Sequence, residues 1–387
     1  MSITKTEINE FISKFTVENA NNDVNVILLS GKNHNILIDS GYPPTSEELH
    51  KALREISNNQ VKIIINTHHH SDHTGANHLF DSTVICHDHA RDRIRGKFYN
   101  LSGYIEKGVG DITISKDMTL FLDDKKIDVI PLPPSHTNGD MIIYIEEYRT
   151  LIMGDILFSK SFPFIDINNG GDIDGLINTY KWIIKTFSQV EKIIAGHGPD
   201  MDLKSFTEYV QLLEESYGFI RKSLNSGETK EQILGSDKFN ELKGKLSDGE
   251  RLAPLWIDII SNYISRSENP GKISIMYPMT EYIEKGDIPA AISFYRENSK
   301  SEDYSCNETD MTMIGYNLLF RDRQKDALKM FKLYVEAYPE SSNSYDSLGE
   351  CYMNMNDKKN ARINYSKALE LDPENEYIKG ILEKIGS

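Results

Sequence analysis

Cysteine is scarce in this chain: 387 residues contain three, Cys86, Cys306 and Cys351, with no CxxC pair. That spacing rules out a cysteine zinc knuckle and suits a reducing compartment. No apolar run approaches the length needed to cross a bilayer, and the opening MSITKTEINEFISKF has no apolar core of the kind a secretory leader carries. The expected location is therefore cytoplasmic, and the glycosylation-like spellings at Asn100, Asn307 and Asn364 are expected to be chance matches. Positive charge is also short. Lys and Arg number 43 against 59 Asp and Glu, a formal charge of −16 that no local basic patch reverses, so neither nucleic acid nor membrane is an expected partner.

What is present is ample apolar material, 39% of residues, in a chain too long for one ordinary core. Residues 24–39 read as two β runs around the turn-prone SGKN, the second ending at Asp39-Ser-Gly. A helix is expected over 45–56, and VKIIINT (61–67) reads as a buried strand. A short helix (GANHLF), the strand TVIC, and β runs at 112–114, 119–122, 126–133, 141–147 and 150–155 follow. Residues 174–187 read as a helix and 191–199 as a strand entering a loop. This order predicts an α+β fold, an αββα sandwich over residues 1–200. From 202 to 268 the β signal vanishes and apolar residues take helical spacing, which predicts a helical extension over 201–270 with SENPGK (267–272) as a linker.

The end of the chain repeats itself. Met311, Ile314, Gly315, Leu318, Ala327, Phe331 and Pro339 recur 34 residues later as Tyr345, Leu348, Gly349, Tyr352, Ala361, Tyr365 and Pro373, with Ala368 completing the second unit. This small/large pattern resembles the tetratricopeptide repeat (TPR), and implies a TPR-like domain over 271–387 that binds a protein or peptide partner or a second copy of the chain. A weaker unit at 284–298 precedes the pair, and 376–385 reads as a capping helix.

The densest chemistry is NTHHHSDHTG (66–75), delivered at the end of the 61–67 strand. His68 and His70 are two apart, so on an extended chain end they point the same way and suit one ion. Asp72 and His73 follow a turn and face a second position. Three more ligand types stand at the ends of other β runs: His136 in PPSHTNGD, Asp155 in LIMGDILF and His197 in IAGHGP. In this order, HxHxDH and then H, D and H, the chain resembles the metallo-β-lactamase superfamily of metallohydrolases across about residues 12–200.

The resemblance implies His68, His70 and His136 on one ion, Asp72, His73 and His197 on a second, and Asp155 bridging both. It also implies a metal-bridging hydroxide as nucleophile, because two neighbouring cations depress the pKa of a shared water. Asp72 would orient that nucleophile and shuttle its proton as the catalytic residue. Asp39 would support the metal loop from behind. Imidazole with carboxylate suits two zinc ions best, with iron or manganese also compatible. His69 points opposite its neighbours and is expected to be a non-ligand. His78, His87 and His89 are expected on a helix or the surface, and Cys86 in packing. DINNGGDID (166–174) fails the calcium-loop pattern at Gly170 and Ile177, and reads as a Gly-rich loop at the mouth of the site.

Asp155 in GDILF is most similar to the glyoxalase II-like branch, whereas the lactonase branch usually has tyrosine where this chain has Phe158. A hydrolase of a thioester or carboxylic ester is thus the expected function. A β-lactamase or lactonase is the enzymatic alternative, and a TPR scaffold with a vestigial metal site the non-enzymatic one. For a small-molecule substrate, the candidate wall residues are Phe162, Phe164, Tyr209, Tyr217 and Trp256, with Lys160 for an anionic group. Asn138 either polarises a carbonyl or shapes a turn.

Overall fold

The computed structural model describes residues 2–18, 23–42, 46–56, 59–98, 108–268, 273–301, 303–306, 308–320, 323–373 and 375–386. Asn100 and Asn307 lie outside the described residues, as does most of the expected linker. The chain divides into two compact units, Met1–Ser265 and Arg266–Ser387. Among the described residues no helix is long and apolar enough to cross a membrane.

The first unit stacks two sheets. One runs in chain order through β1 (Ser2–Glu7), β2 (Ile12–Glu18), β3 (Val24–Ser30), β4 (Asn35–Ile38), β5 (Val61–Ile65), β6 (Thr83–His87) and β7 (Ile112–Ile114). It is antiparallel as far as β4 and parallel from β4 to β7. Helix α1 (Ser46–Ile56) precedes β5, the short α2 (Ser71–Thr74) follows it, and α3 (Asp88–Phe98) follows β6. The other sheet has β8 (Met118–Leu122), β9 (Lys125–Pro131), β10 (Met141–Ile145), β11 (Thr150–Ile152) and β12 (Lys192–Ile194), antiparallel except for the β11–β12 pair.

Period-two alternation decides which layer each side chain enters. Ile27 and Leu29 of β3 share the inter-sheet core with Val129, Met141, Ile143 and Ile194, whereas Val26 and Leu28 share a second core with Leu49 and Leu53 of α1. Beyond the other sheet, Ile142, Leu151 and Ile193 share a third with Leu176, Tyr180 and Ile183 of α4 (Ile173–Thr186). Each such fully buried aliphatic side chain contributes about 1.5–3 kcal/mol. The layers are α, β, β, α, as the sequence pattern predicts. No strand was expected before residue 24, yet β1 and β2 form a regular hairpin there. Lys14 obscures the pattern, being buried in β2 through its 2.5 Å ion pair with Asp200.

Helices α5 (Leu203–Asn225), α6 (Lys230–Gly235), α7 (Asp237–Lys243) and α8 (Gly249–Glu268) continue the α4 layer. Their Phe206, Leu213, Phe239, Trp256 and Ile260 belong to the same core as α4. Asp202 starts α5 by accepting from Ser205 N–H, and Thr229 and Gln232 close a reciprocal capping box on α6.

The second unit pairs β13 (Ile273–Ser274) with β14 (Tyr304–Ser305) and otherwise consists of helices. These are α9 (Met276–Glu284), α10 (Ile288–Asn298), α11 (Glu308–Phe320), α12 (Gln324–Ala337), α13 (Ser342–Asn354), α14 (Lys358–Leu371) and α15 (Glu376–Gly386). The repeated glycines explain themselves by close approach. A Cβ on Gly315 would stand 2.7 Å from Phe331 Cδ1, and one on Gly349 would stand 3.1 Å from the Tyr365 ring. Large aromatic and missing side chain are thus one packing solution used twice, 34 residues apart.

Candidate metal centre

Parallel pairing of β4 with β5, and of β11 with β12, brings two pairs of strand ends together. Asp39 and the 66–73 segment leave one sheet, while Asp155 and His197 leave the other. Backbone and side-chain hydrogen bonds clamp the sheets there: Met141 N–H donates to Thr67 O (2.7 Å), and Asn25 Nδ2 donates to Ala195 O (2.9 Å).

All seven expected ligand residues meet at this junction. The atoms of His68, His70, His136 and Asp155 that could hold a metal ion lie within 4.8 Å of one another, as do those of Asp72, His73, Asp155 and His197. Asp155 belongs to both groups. Its Oδ2 is 3.6 Å from His68 Nε2 and 3.7 Å from His136 Nε2, and its Oδ1 is 2.9 Å from His73 Nε2. His197 Nε2 stands 3.1 Å from both oxygens and 3.4 Å from Asp72 Oδ2.

The outer nitrogen of every one of these histidines has an acceptor. His68 Nδ1 is 3.1 Å from Thr67 Oγ1, His70 Nε2 is 2.9 Å from Asp166 Oδ2, and His136 Nδ1 is 2.7 Å from Phe164 O. His73 Nδ1 is 2.7 Å from Asp39 Oδ2, and His197 Nδ1 is 2.5 Å from Asp23 O. A proton held on the outer nitrogen leaves the inner lone pair aimed at the centre, which is what a cation requires. Asp39 does this from a left-handed backbone conformation (φ 60°), where it also accepts from Thr67 N–H and Thr67 Oγ1–H, both at 2.8 Å.

At the centre burial and charge pull against each other. Burial and the neighbouring His73 hold His68 well below the usual histidine range. Burial opposes charge on His73 and His197 too, but there carboxylates win: Asp155, Asp72 and Asp39 raise His73 well above its usual range, and Asp155 and Asp72 raise His197 to about 10. Against burial, His197 and His73 pull Asp155 well below the ordinary carboxylate range. His68 Nε2, His73 Nε2 and Asp155 Oδ1 are buried without an aligned hydrogen bond, even though the last two lie close together. Buried polar atoms without a hydrogen bond, converging imidazoles and a shared carboxylate fit divalent cations.

Other expected residues fall elsewhere. His69 is buried, 4.0 Å from Asp166 Oδ2, in neither Asp155 group. His87 lies 2.7 Å from Asp88 and stacks on His89, and Cys86 is buried with its thiol pushed up to about 12 by burial. Of the candidate wall residues, Phe164 is at the centre, 5.9 Å from the His136 ring and 6.2 Å from that of His70. Phe162 and Trp256 instead stack in the helical core, where Tyr209 donates to Ser161 O. Tyr217 belongs to that core too, and Lys160 is exposed. Asn138 Oδ1 accepts from Arg93 Nη1 (2.5 Å), and its backbone N–H donates to Asn169 O (3.1 Å). Sequence reasoning missed Phe158 as a wall residue: its ring stacks on His197 at 4.9 Å. It also missed Asp166, whose only sequence signal was its place in the Gly-rich loop.

The family model of the metallo-beta-lactamase superfamily matches residues 21–210, and that of the tetratricopeptide repeat matches residues 342–375. A probable metallo-hydrolase of Methanocaldococcus jannaschii is 28% identical over 201 residues, 47% of this chain and 91% of the relative. An acyl-coenzyme A thioesterase of Bos taurus is 22% identical over 207 residues, 46% of this chain and 73% of the relative. A hydroxyacylglutathione hydrolase of a Polaromonas species is 27% identical over 162 residues, 40% of this chain and 55% of the relative. The chain therefore belongs, through residues 21–210, to the metallo-β-lactamase superfamily of hydrolases, and it carries a tetratricopeptide repeat at residues 342–375.

Proposed function

We propose that this chain is a dinuclear zinc hydrolase of thioesters or activated carboxylic esters. The observation that carries the reading is the shared Asp155, with one oxygen turned to His68 and His136 and the other to His73. In it, His68, His70 and His136 would hold one ion, Asp72, His73 and His197 would hold the second, and Asp155 would serve both. When bound, the two ions supply Lewis acidity and lower the pKa of a shared water.

The chain's own residues do the rest. Asp72, half-buried beside His197 and His73, orients the attacking water and takes its proton on a carboxylate oxygen. The five outer acceptors keep the imidazole ring planes fixed, so no reorganisation is needed as charge develops. Phe158 and Phe164 present an apolar flank on which an acyl chain can lie while water is excluded. Support for a thioester over other electrophiles comes from the names of two relatives, a thioesterase and a hydroxyacylglutathione hydrolase, and from Phe158 at the lactonase tyrosine position. The repeats of the second unit serve a protein or peptide partner and take no part in the chemistry.

The test is a substrate panel on the zinc-loaded chain: acyl thioesters, activated esters, lactones, β-lactams and a phosphodiester. Thioesters or activated esters should turn over fastest. Faster turnover of a β-lactam or phosphodiester than of every thioester would sink the assignment.

A further inference from the structure

The residues from Lys160 to Asp172 contain one short helical turn, Ile167–Asn169, and touch both the candidate metal centre and the helical extension. We propose that this segment is a positioning element for the first metal group only, with Asp166 as its positioning residue and the extension as its anchor. The inference rests on the dinuclear reading above.

Two of the three histidines in the first group take their outer acceptor from this segment. Phe164 O receives His136 Nδ1–H (2.7 Å), and Asp166 Oδ2 receives His70 Nε2–H (2.9 Å). Backbone bonds stitch the segment to the His136 loop: Asp166 N–H donates to His136 O (2.9 Å) and Asp172 N–H to Ser135 O (2.8 Å). Asp166 is itself buried and aimed, accepting from Asn169 N–H (3.1 Å) and Asn169 Nδ2 (2.7 Å). His69 and His70 also group with Asp166, which raises the question of a third ion. His70 answers it: its Nδ1 is turned into the first group, 3.0 Å from His136 Nε2, and its Nε2 meets a carboxylate oxygen of Asp166 at 2.9 Å that can only accept, so Nε2 carries a proton and is closed to an ion.

The extension grips the other side of the segment. The Phe162 ring lies 5.9 Å from Trp256 and 5.8 Å from Phe239, nearly parallel to both. Ser161 O accepts from Tyr209 Oη–H (3.1 Å), Lys160 O accepts from Asp248 N–H (3.0 Å), and Asp172 Oδ1 accepts from Tyr263 Oη–H (3.0 Å). Phe162 and Phe164 thus face opposite ways, one into the helices and one toward the imidazoles. The second group takes no outer acceptor from this segment: His73 and His197 lean on Asp39 and on Asp23 O, and the contacts that Phe158 and Ser159 make with His197 come from residues before it. The two metal positions are therefore oriented by different parts of the chain. Damage to Asp166 should weaken one and spare the other.

The experiment titrates the full-length, chelator-stripped chain with cobalt(II), reading both calorimetric affinity and the visible ligand-field spectrum. Wild type should take two ions. Asp166→Ala should bind the ion of the first group about 10- to 100-fold more weakly, the usual cost of losing an outer carboxylate, with the other affinity unchanged. Asp166→Asn, whose amide oxygen still accepts Nε2–H, should recover part of the loss and of the spectrum. Trp256→Leu should shift the same single affinity in the same direction. If Asp166→Ala fails to fold, Asp166→Asn decides alone. A wild-type chain that takes fewer than two ions refutes the dinuclear reading. A two-ion wild type whose Asp166→Ala variant (or, should that not fold, Asp166→Asn) holds both within twofold, or loses both equally, refutes the positioning role alone.

Discussion

Gly196 gives the account a sharp steric test. A Cβ at this position would fall inside contact distance of Asp155 Oδ1, 2.6 Å from the Gly154 carbonyl carbon and 2.8 Å from its oxygen. The backbone cannot retreat freely, since Gly196 N–H is bonded to Gly154 O at 2.8 Å. Ordinary carbon contacts start near 3.5 Å, so Gly196→Ala must push Asp155 or its strand end away by about 1 Å. Overpacking of this kind costs about 1–3 kcal/mol, which in a unit of this size is a fall of roughly 2–10 °C in melting temperature. A displacement of about 1 Å in a reacting array is worth about 100-fold in rate. Calorimetry on the chelated protein reads the first effect, and zinc content with thioester turnover reads the second. Gly218→Ala, in α5 with nothing within 4 Å of the added carbon, is the control and should be neutral or slightly stabilising. A Gly196→Ala variant that keeps both ions and turnover within twofold would refute the claim that Asp155 is held against this glycine.

Asp155→Ala should lower hydrolysis by at least about 100-fold, exceeding the loss expected from an outer partner, while far-UV circular dichroism stays unchanged; wild-type rates would remove Asp155 from the chemistry. In the repeats, Gly315→Ala should destabilise by about 1–3 kcal/mol and Gly349→Ala by distinctly less, because the added carbon would overlap Phe331 Cε1 and Cζ, with Cδ1 at 2.7 Å, but comes no nearer to Tyr365 than 3.1 Å; denaturant melts giving the reverse order would contradict this packing. Burial, with the nearby Glu350 charge, lifts Asp346 to about 6, above the roughly 3.9 of an unfolded chain. The folded repeats therefore hold that proton more tightly between about pH 4 and 6, so their stability should rise as pH falls from 7 toward 5, by on the order of 1 kcal/mol for a half-buried group. Asp346→Asn should show that gain already at pH 7 and abolish the rise; an unchanged pH profile would refute the assignment.

Much of this could be read from the chain because the candidate ligands sit where buried strands end. VKIII, TLIM and EKII are short apolar runs, and each leads directly to a His or Asp that no core would accept unpartnered. The missed parts share a different character. Helix α3 is mostly polar, and among its described side chains the buried apolar ones are Ala90 and Ile94, so its periodicity is faint. Phe162 and Phe164 lie two apart on irregular backbone, where no period says which one faces the helices and which the imidazoles. Asp166 finds His70 across 96 residues of sequence, a pairing that local pattern cannot disclose.

The most direct test of the central claim is zinc content. The full-length chain, loaded with zinc, dialysed free of excess and measured by elemental analysis against amino-acid quantitation, should contain two zinc ions per polypeptide. One ion per polypeptide, persisting after further zinc is supplied, would contradict the shared role of Asp155 and with it the dinuclear centre.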